Sequence, residues 1–95
     1  MRYDKRTDDV QQPIVDALRA AGVKVYVVGL PLDLMCAIPN PDRSLPYRTA
    51  LLECKDEDGR FTKPQLKFFE EWPGEWHVVR SPIEALKACF GDAMA

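Results

Sequence analysis

Two helix starts are spelled out in the second half of this chain, and the gap between them admits one short strand. Thr62-Lys63-Pro64-Gln65 has the form of a capping box, with Phe61 and Leu66 flanking it as a hydrophobic staple. Ser81-Pro82-Ile83-Glu84 repeats the form, with proline at the first helical position, where its missing N–H is no loss. Glu75 to Arg80 lies between them and reads as a strand. The last helix is expected to turn Ile83, Leu86, Cys89 and Phe90 inward and to end at Gly91.

The first half carries a different punctuation. Val10, Ile14, Ala17, Leu18 and Ala21 recur at helical spacing and Gly22 closes the run, so a helix is predicted over Val10 to Ala21. Asp8 or Asp9 is the expected cap, and Pro13 belongs in the first turn. Val23 to Val28 is β-branched and aromatic, hence a strand, followed by a Gly29-Leu30-Pro31 turn and a second strand over Leu32 to Ile38. Pro39 to Pro46 is a loop. Arg48 to Lys55 is a third strand, its centre Ala50-Leu51-Leu52 apolar enough to be covered on both faces. Asp56-Glu57-Asp58-Gly59 is an acidic turn. The expectation is one α/β domain over residues 1–95, in the order α-β-β-β-α-β-α, around a small mixed sheet flanked by helices.

Composition narrows the function classes. Among 95 residues, 46% are hydrophobic and 29% charged, which is globular and not disordered. A core of this size is modest and gains from a partner subunit. The formal net charge of −2 excludes a grip on nucleic acid through overall positive charge, but not a local basic face. The longest apolar stretch, Val25 to Ile38, is broken by Pro31 and Asp33 and is too short to span a bilayer. No signal peptide follows the charged start, so a cytoplasmic protein with no membrane partner is expected. Three cysteines (Cys36, Cys54, Cys89) and a single histidine do not make a zinc site; three reduced thiols are expected.

Three residues carry the chemistry. Asp33 stands in the most apolar stretch, where a carboxylate needs a partner or a cation, or else holds backbone N–H groups of a turn after Pro31. Glu53 and Lys55 are two apart on a strand and leave the same face, while Leu52 and Cys54 point the other way. They form either a salt-bridged pair at a strand end or a site mounted on a rigid element. Two carboxylates with a lysine suit a hard divalent ion such as Mg²⁺ and a phosphodiester. The glycines are isolated, with no phosphate-cradling loop, so nucleoside triphosphate chemistry is not expected.

Asp33, then Glu53-Cys54-Lys55 at a strand end, then Thr62-x-x-Gln65 opening a helix, resembles the PD-(D/E)XK nuclease superfamily. Within it the chain is similar to small stand-alone VRR-NUC domains of phages and bacteria, and more loosely to archaeal-type Holliday junction resolvases. The likeness runs from the Gln11-containing first helix to Val78-Val79-Arg80-Ser81-Pro82-Ile83-Glu84-Ala85-Leu86. It implies a restriction-endonuclease-like core in a bacterial or phage-infected cell. The implied activity is an Mg²⁺-dependent endodeoxyribonuclease, with Mn²⁺ as a substitute and branched, Holliday-junction-like DNA as one substrate it allows. Asp33, Glu53 and the Cys54 carbonyl would be metal ligands, Lys55 the catalytic lysine, and Gln65 a neighbour of the attacking water. Gln11 would approach the metal from the first helix. The family places proline directly before the aspartate, whereas Leu32 intervenes here; Pro13 stands where relatives often carry an acidic residue, and Asp8 or Asp9 would have to substitute.

The other candidates have plainer alternatives. Gln65 is equally the capping-box partner of Thr62. His77 reads as a structural or surface histidine, and Phe68, Phe69, Trp72 and Trp76 as core or dimer contacts before base-stacking groups. Lys5, Arg6, Arg60, Lys63 and Lys67 form the expected DNA-binding rim. With no appended DNA-binding module in the sequence, a homodimer is the expected assembly. The rival to a nuclease is a catalytically silent DNA- or protein-binding adaptor on the same fold.

Overall fold

The computed structural model describes residues 5–91, and side chains from residue 9 onward. The chain forms α1 (Lys5–Ala20), β1 (Lys24–Val27), β2 (Leu34–Ile38), β3 (Arg48–Cys54), α2 (Lys63–Glu71), β4 (Trp76–Val79) and α3 (Pro82–Phe90). The α/β order read from the sequence is the order observed. The sheet runs β1-β2-β3-β4. The first two pairings are antiparallel and β3 pairs β4 in parallel, which is why a helix must cross between those two strands.

Alternation along the strands sorts the sheet into two faces. On one, Val25, Leu34, Cys36, Ile38, Ala50, Leu52, Cys54 and Val79 are buried together with Ile14, Val15 and Leu18 of α1 and Ala85 and Cys89 of α3. Burying each large aliphatic side chain stabilises by about 1.5–3 kcal/mol, so this face supplies most of the core. Arg48 fastens its rim: the guanidinium pairs with both Glu75 oxygens, at 2.7 and 3.0 Å, and donates to the Ala88 and Cys89 carbonyls near the end of α3. The other face carries Met35, Leu51, Glu53, Trp76 and the crossing helix α2.

Several local expectations need correction. Helix α1 spans Lys5–Ala20, so positions 8 and 9 lie within it and not at its start, and Pro13 sits in its interior. Pro13 is exposed, so the carbonyl one turn before it, which has lost its N–H partner, faces the solvent side. Strand β2 starts at Leu34, because the Asp33 carbonyl closes the preceding turn by accepting from Val28 (2.9 Å) and Gly29 (3.1 Å). Leu51 is only half-buried. Ile83 points outward at 64% exposure; Cys89 is buried as expected, Leu86 and Phe90 pack against the core, and Ala85 joins Cys89 in it.

The helix starts behave largely as written. Thr62 and Gln65 make both bonds of the capping box, while Phe61 packs edge-on against Phe69, with ring centres 5.3 Å apart. Ser81 caps α3, but the Glu84 carboxylate reaches the Arg80 N–H and not that of the cap. Gly91 ends α3 at φ 75°, a left-handed conformation that glycine adopts without a Cβ penalty. Among the described residues no helix is long and apolar enough to cross a membrane.

Candidate active site

Continuing the antiparallel register of β2 and β3 past Leu34 and Leu52 brings Asp33 opposite Glu53. The turn and the strand are then stitched together by these two residues. The Cys54 N–H donates to Asp33 Oδ2 (2.9 Å), and the Asp33 N–H donates to Glu53 Oε1 (3.2 Å). Asp33 is therefore fixed at its amide, its carbonyl and one carboxylate oxygen. Glu53 is the one charged residue among the described buried positions, at 4% exposure.

Its other oxygen gathers the two further residues singled out by sequence. Gln65 Nε2 donates to Glu53 Oε2 (2.7 Å), and Lys55 Nζ lies 3.3 Å from that oxygen. Gln65 makes the capping box and also reaches the Glu53 carboxylate. Its carbonyl oxygen accepts from the Thr62 N–H (3.0 Å) while its amide nitrogen serves Glu53. Capping α2 and seating the buried carboxylate are thus one act. Lys55 is not an exposed strand-end lysine, since only 17% of its side chain is exposed and its ammonium sits 5.5 Å above the Phe61 ring.

The electrostatics follow from that burial. Desolvation pushes the Asp33 carboxyl above its ordinary value, against the opposing pull of the Cys54 N–H and Lys55. Desolvation also pushes Glu53 up, and the neighbouring Asp33 charge adds to it, with Lys55 and Gln65 only partly compensating. Two carboxylates held at a cost in charge, one on the turn before β2 and one on β3, are a place a cation would relieve.

Hard oxygen donors fit that cation. Among the described residues no group of three or more Asp, Glu, His and Cys side chains converges, and Asp33 and Glu53 are the two carboxylates that meet here. That donor number suits Mg²⁺, which takes one or two carboxylates and completes its shell with water and phosphate oxygens. Asp33 Oδ1 has no hydrogen bond among the described residues. The Cys54 thiol lies on the helix-covered face, so this residue can offer only its backbone carbonyl. Burial pushes the Cys36 thiol up to about 12 and the Cys89 thiol to about 11, and Cys54 rises likewise. All three are free thiols, and none is a thiolate nucleophile near neutral pH.

The remaining candidates divide. Arg60, Lys63 and Lys67 are exposed on α2 and its approach, and none is in an ion pair among the described residues. The side chains of Lys5, Arg6 and Asp8 lie outside the described residues. Gln11 is half-buried on α1, and no described hydrogen bond joins it to Asp33 or Glu53; Asp9 is exposed. His77 is structural, its Nε2 lying 2.7 Å from Glu75 Oε2. Phe69 of α2 stacks on Trp76 of β4 at 4.2 Å and anchors the helix to the sheet, whereas Phe68 stacks at 5.6 Å on Trp72, the residue that ends the same helix. Sequence reasoning missed one feature beside the carboxylates, a cavity of about 460 Å³ between the β1–β2 turn and α2. Leu30, the residue between a turn glycine and a proline, was its only signal.

No family model matches this chain, and no curated protein or solved structure matches it either.

Proposed function

We propose that this protein is a metal-dependent DNA endonuclease of the PD-(D/E)XK type, similar to VRR-NUC domains, hydrolysing phosphodiester bonds with Mg²⁺ or Mn²⁺. The observation that carries this reading is the convergence of Asp33, Glu53, Lys55 and Gln65 around one buried carboxylate, from a turn, a strand end and a helix start. A salt-bridged strand end would not need the Asp33 charge pressed against Glu53, nor a helix cap turned inward to meet it.

Each residue has a task in that reaction. Asp33 and Glu53, with the Cys54 carbonyl, would hold the divalent ion, which when bound polarises the phosphoryl oxygen and lowers the pKa of water. The Lys55 ammonium offers a positive charge to the oxygen on which negative charge develops. Gln65 keeps the Glu53 carboxylate oriented. Arg60, Lys63 and Lys67, exposed and in no ion pair among the described residues, would meet flanking phosphates.

The test is cleavage of supercoiled plasmid and of branched, flap and single-stranded oligonucleotides, with Mg²⁺, Mn²⁺ or EDTA. Cleavage with either ion and none in EDTA is the expected result, and the substrate preferred separates junctions from flaps. DNA binding without cleavage under every metal condition marks the silent adaptor instead.

A homodimer belongs to this reading. Tyr26, Met35, Leu51 and Trp76 stand in register across all four strands on the α2 side of the sheet. At the β1–β2 end this row is bare, with Tyr26 59% and Met35 40% exposed. Apolar surface left open in a row marks an interaction site. The protein should elute as a dimer at micromolar concentration, and Met35→Glu should shift it to a folded monomer. A wild type that stays monomeric at high concentration removes the dimer from the proposal.

A further inference from the structure

The cavity beside the carboxylates has its own chemistry. It opens between Gly29, Leu30 and Pro31 of the β1–β2 turn and Thr62, Gln65 and Phe68 of the α2 start, with a volume of about 460 Å³. That lies within the range of small-molecule sites. Its apolar walls are the Leu30 side chain, the rings of Pro31 and Pro64, and the Phe68 ring. Leu30 is 82% exposed, so it contributes little to the core. Phe68 is steadied by stacking on Trp72 at an interplanar angle of 18°. Gln65 is shared by both places, since it lines the cavity and donates to Glu53.

Charge on α2 is divided along its length. Lys63 and Lys67 stand in the half that borders the cavity, with Arg60 just before the helix, and Glu70 and Glu71 occupy the far end. The helix N-terminus adds its positive end on the cavity side. A largely apolar cavity with an aromatic wall, exposed lysines on the adjoining half of α2 and a residue shared with the carboxylate pair matches one kind of occupant. We infer that the slot receives an unpaired nucleobase of the DNA strand whose backbone crosses the carboxylate pair, held between Leu30–Pro31 and Phe68. This deepens the nuclease reading and rests on it for the identity of the strand. A base held there leaves the duplex stack, so the slot favours DNA with unpaired nucleotides at the cut over continuous duplex.

The experiment separates base from backbone. Fluorescence anisotropy in Ca²⁺ compares a short oligothymidylate with an abasic oligomer of equal length and charge, for wild type, Leu30→Ala and Phe68→Ala. Stacking on one aromatic side chain is worth a factor of about ten in affinity, so wild type should prefer the oligothymidylate by about tenfold. Both variants should lose most of that preference through weaker oligothymidylate binding, with abasic binding unaltered. Leu30→Ala removes an exposed side chain and keeps the fold, so the result does not hang on whether Phe68→Ala remains folded. No preference in wild type, or one that survives Leu30→Ala, overturns the slot. Cleavage is scored separately in Mg²⁺. A protein that cuts DNA without base preference loses the slot and keeps the nuclease reading, whereas preference without cleavage keeps the slot and ends that reading.

Discussion

Lys55→Ala should lower metal-dependent DNA cleavage by about a hundred- to a thousandfold, the usual consequence of removing one fixed charge from a developing oxyanion. It should also destabilise the protein, because Lys55 is mostly covered and partners a carboxylate of which 5% of the side chain is exposed. Without it, Glu53 faces the Asp33 charge with only neutral donors around it. The loss should be about 1–3 kcal/mol at neutral pH, the range for a hydrogen-bonded charged group left without its partner. The double variant Glu53→Gln/Lys55→Ala should recover much of that stability and none of the cleavage, since the buried Glu53 charge is then gone as well. Thermal melts in EDTA beside a plasmid-nicking assay give both readouts. Cleavage by Lys55→Ala equal to that of wild type would falsify the assigned role. A variant that is inactive only because it has unfolded is recognised by its melt.

Element order was legible in this sequence because each boundary carries its own chemistry: a capping box at Thr62, a serine–proline start at Ser81, prolines between β2 and β3, and glycine after α3. The site residues were legible for a related reason. Glu53 and Lys55 share a face by strand alternation, and a carboxylate in an apolar run needs an explanation wherever it folds. What escaped was tertiary. Nothing local says that α1 runs through Pro13, because the exposed side of a helix tolerates the missing bond that a buried side would not. Nothing local gives Gln65 two partners at once, since only the β3-α2-β4 crossover sets its amide above Glu53. Nothing local says that Lys55 is mostly covered either, since Phe61 lies under its ammonium from a segment six residues further on. The slot behind Leu30 was invisible because it is defined by the distance between two elements that sequence spacing does not fix.

Asp33→Asn should abolish cleavage and the stabilisation by Mn²⁺, yet raise the stability of the metal-free protein by about 0.5–2 kcal/mol. The geometry separates charge from scaffold at this position. Asp33 Oδ2 accepts from the Cys54 N–H, and an asparagine carbonyl oxygen can accept the same bond, so the turn stays stitched to β3. What asparagine removes is the charge that desolvation disfavours and that presses on Glu53. The sign against pH follows. Asp33 and Glu53 are acids whose carboxyls in the folded state lie above their ordinary values of 3.8 and 4.5, so the folded chain binds these protons more tightly than the unfolded one. Their stabilising contribution is full below those ordinary values and is lost as pH rises through the raised ones. Glu75 acts in the opposite sense: partial burial pushes it up, but its bonds to Arg48 and His77 outweigh this and hold it below 4.5, so its contribution is lost as pH falls through that lower range. In EDTA the wild type should therefore melt higher at mildly acidic pH than at neutral pH, with a decline only at stronger acidity. Asp33→Asn should flatten the first of these slopes, since one charge is gone and Glu53 no longer feels it. Adding Mn²⁺ at neutral pH should raise the wild-type melting temperature and leave the variant where it was. A variant that melts below wild type in EDTA, beside a wild type indifferent to Mn²⁺, makes Asp33 a scaffold residue and removes the metal site.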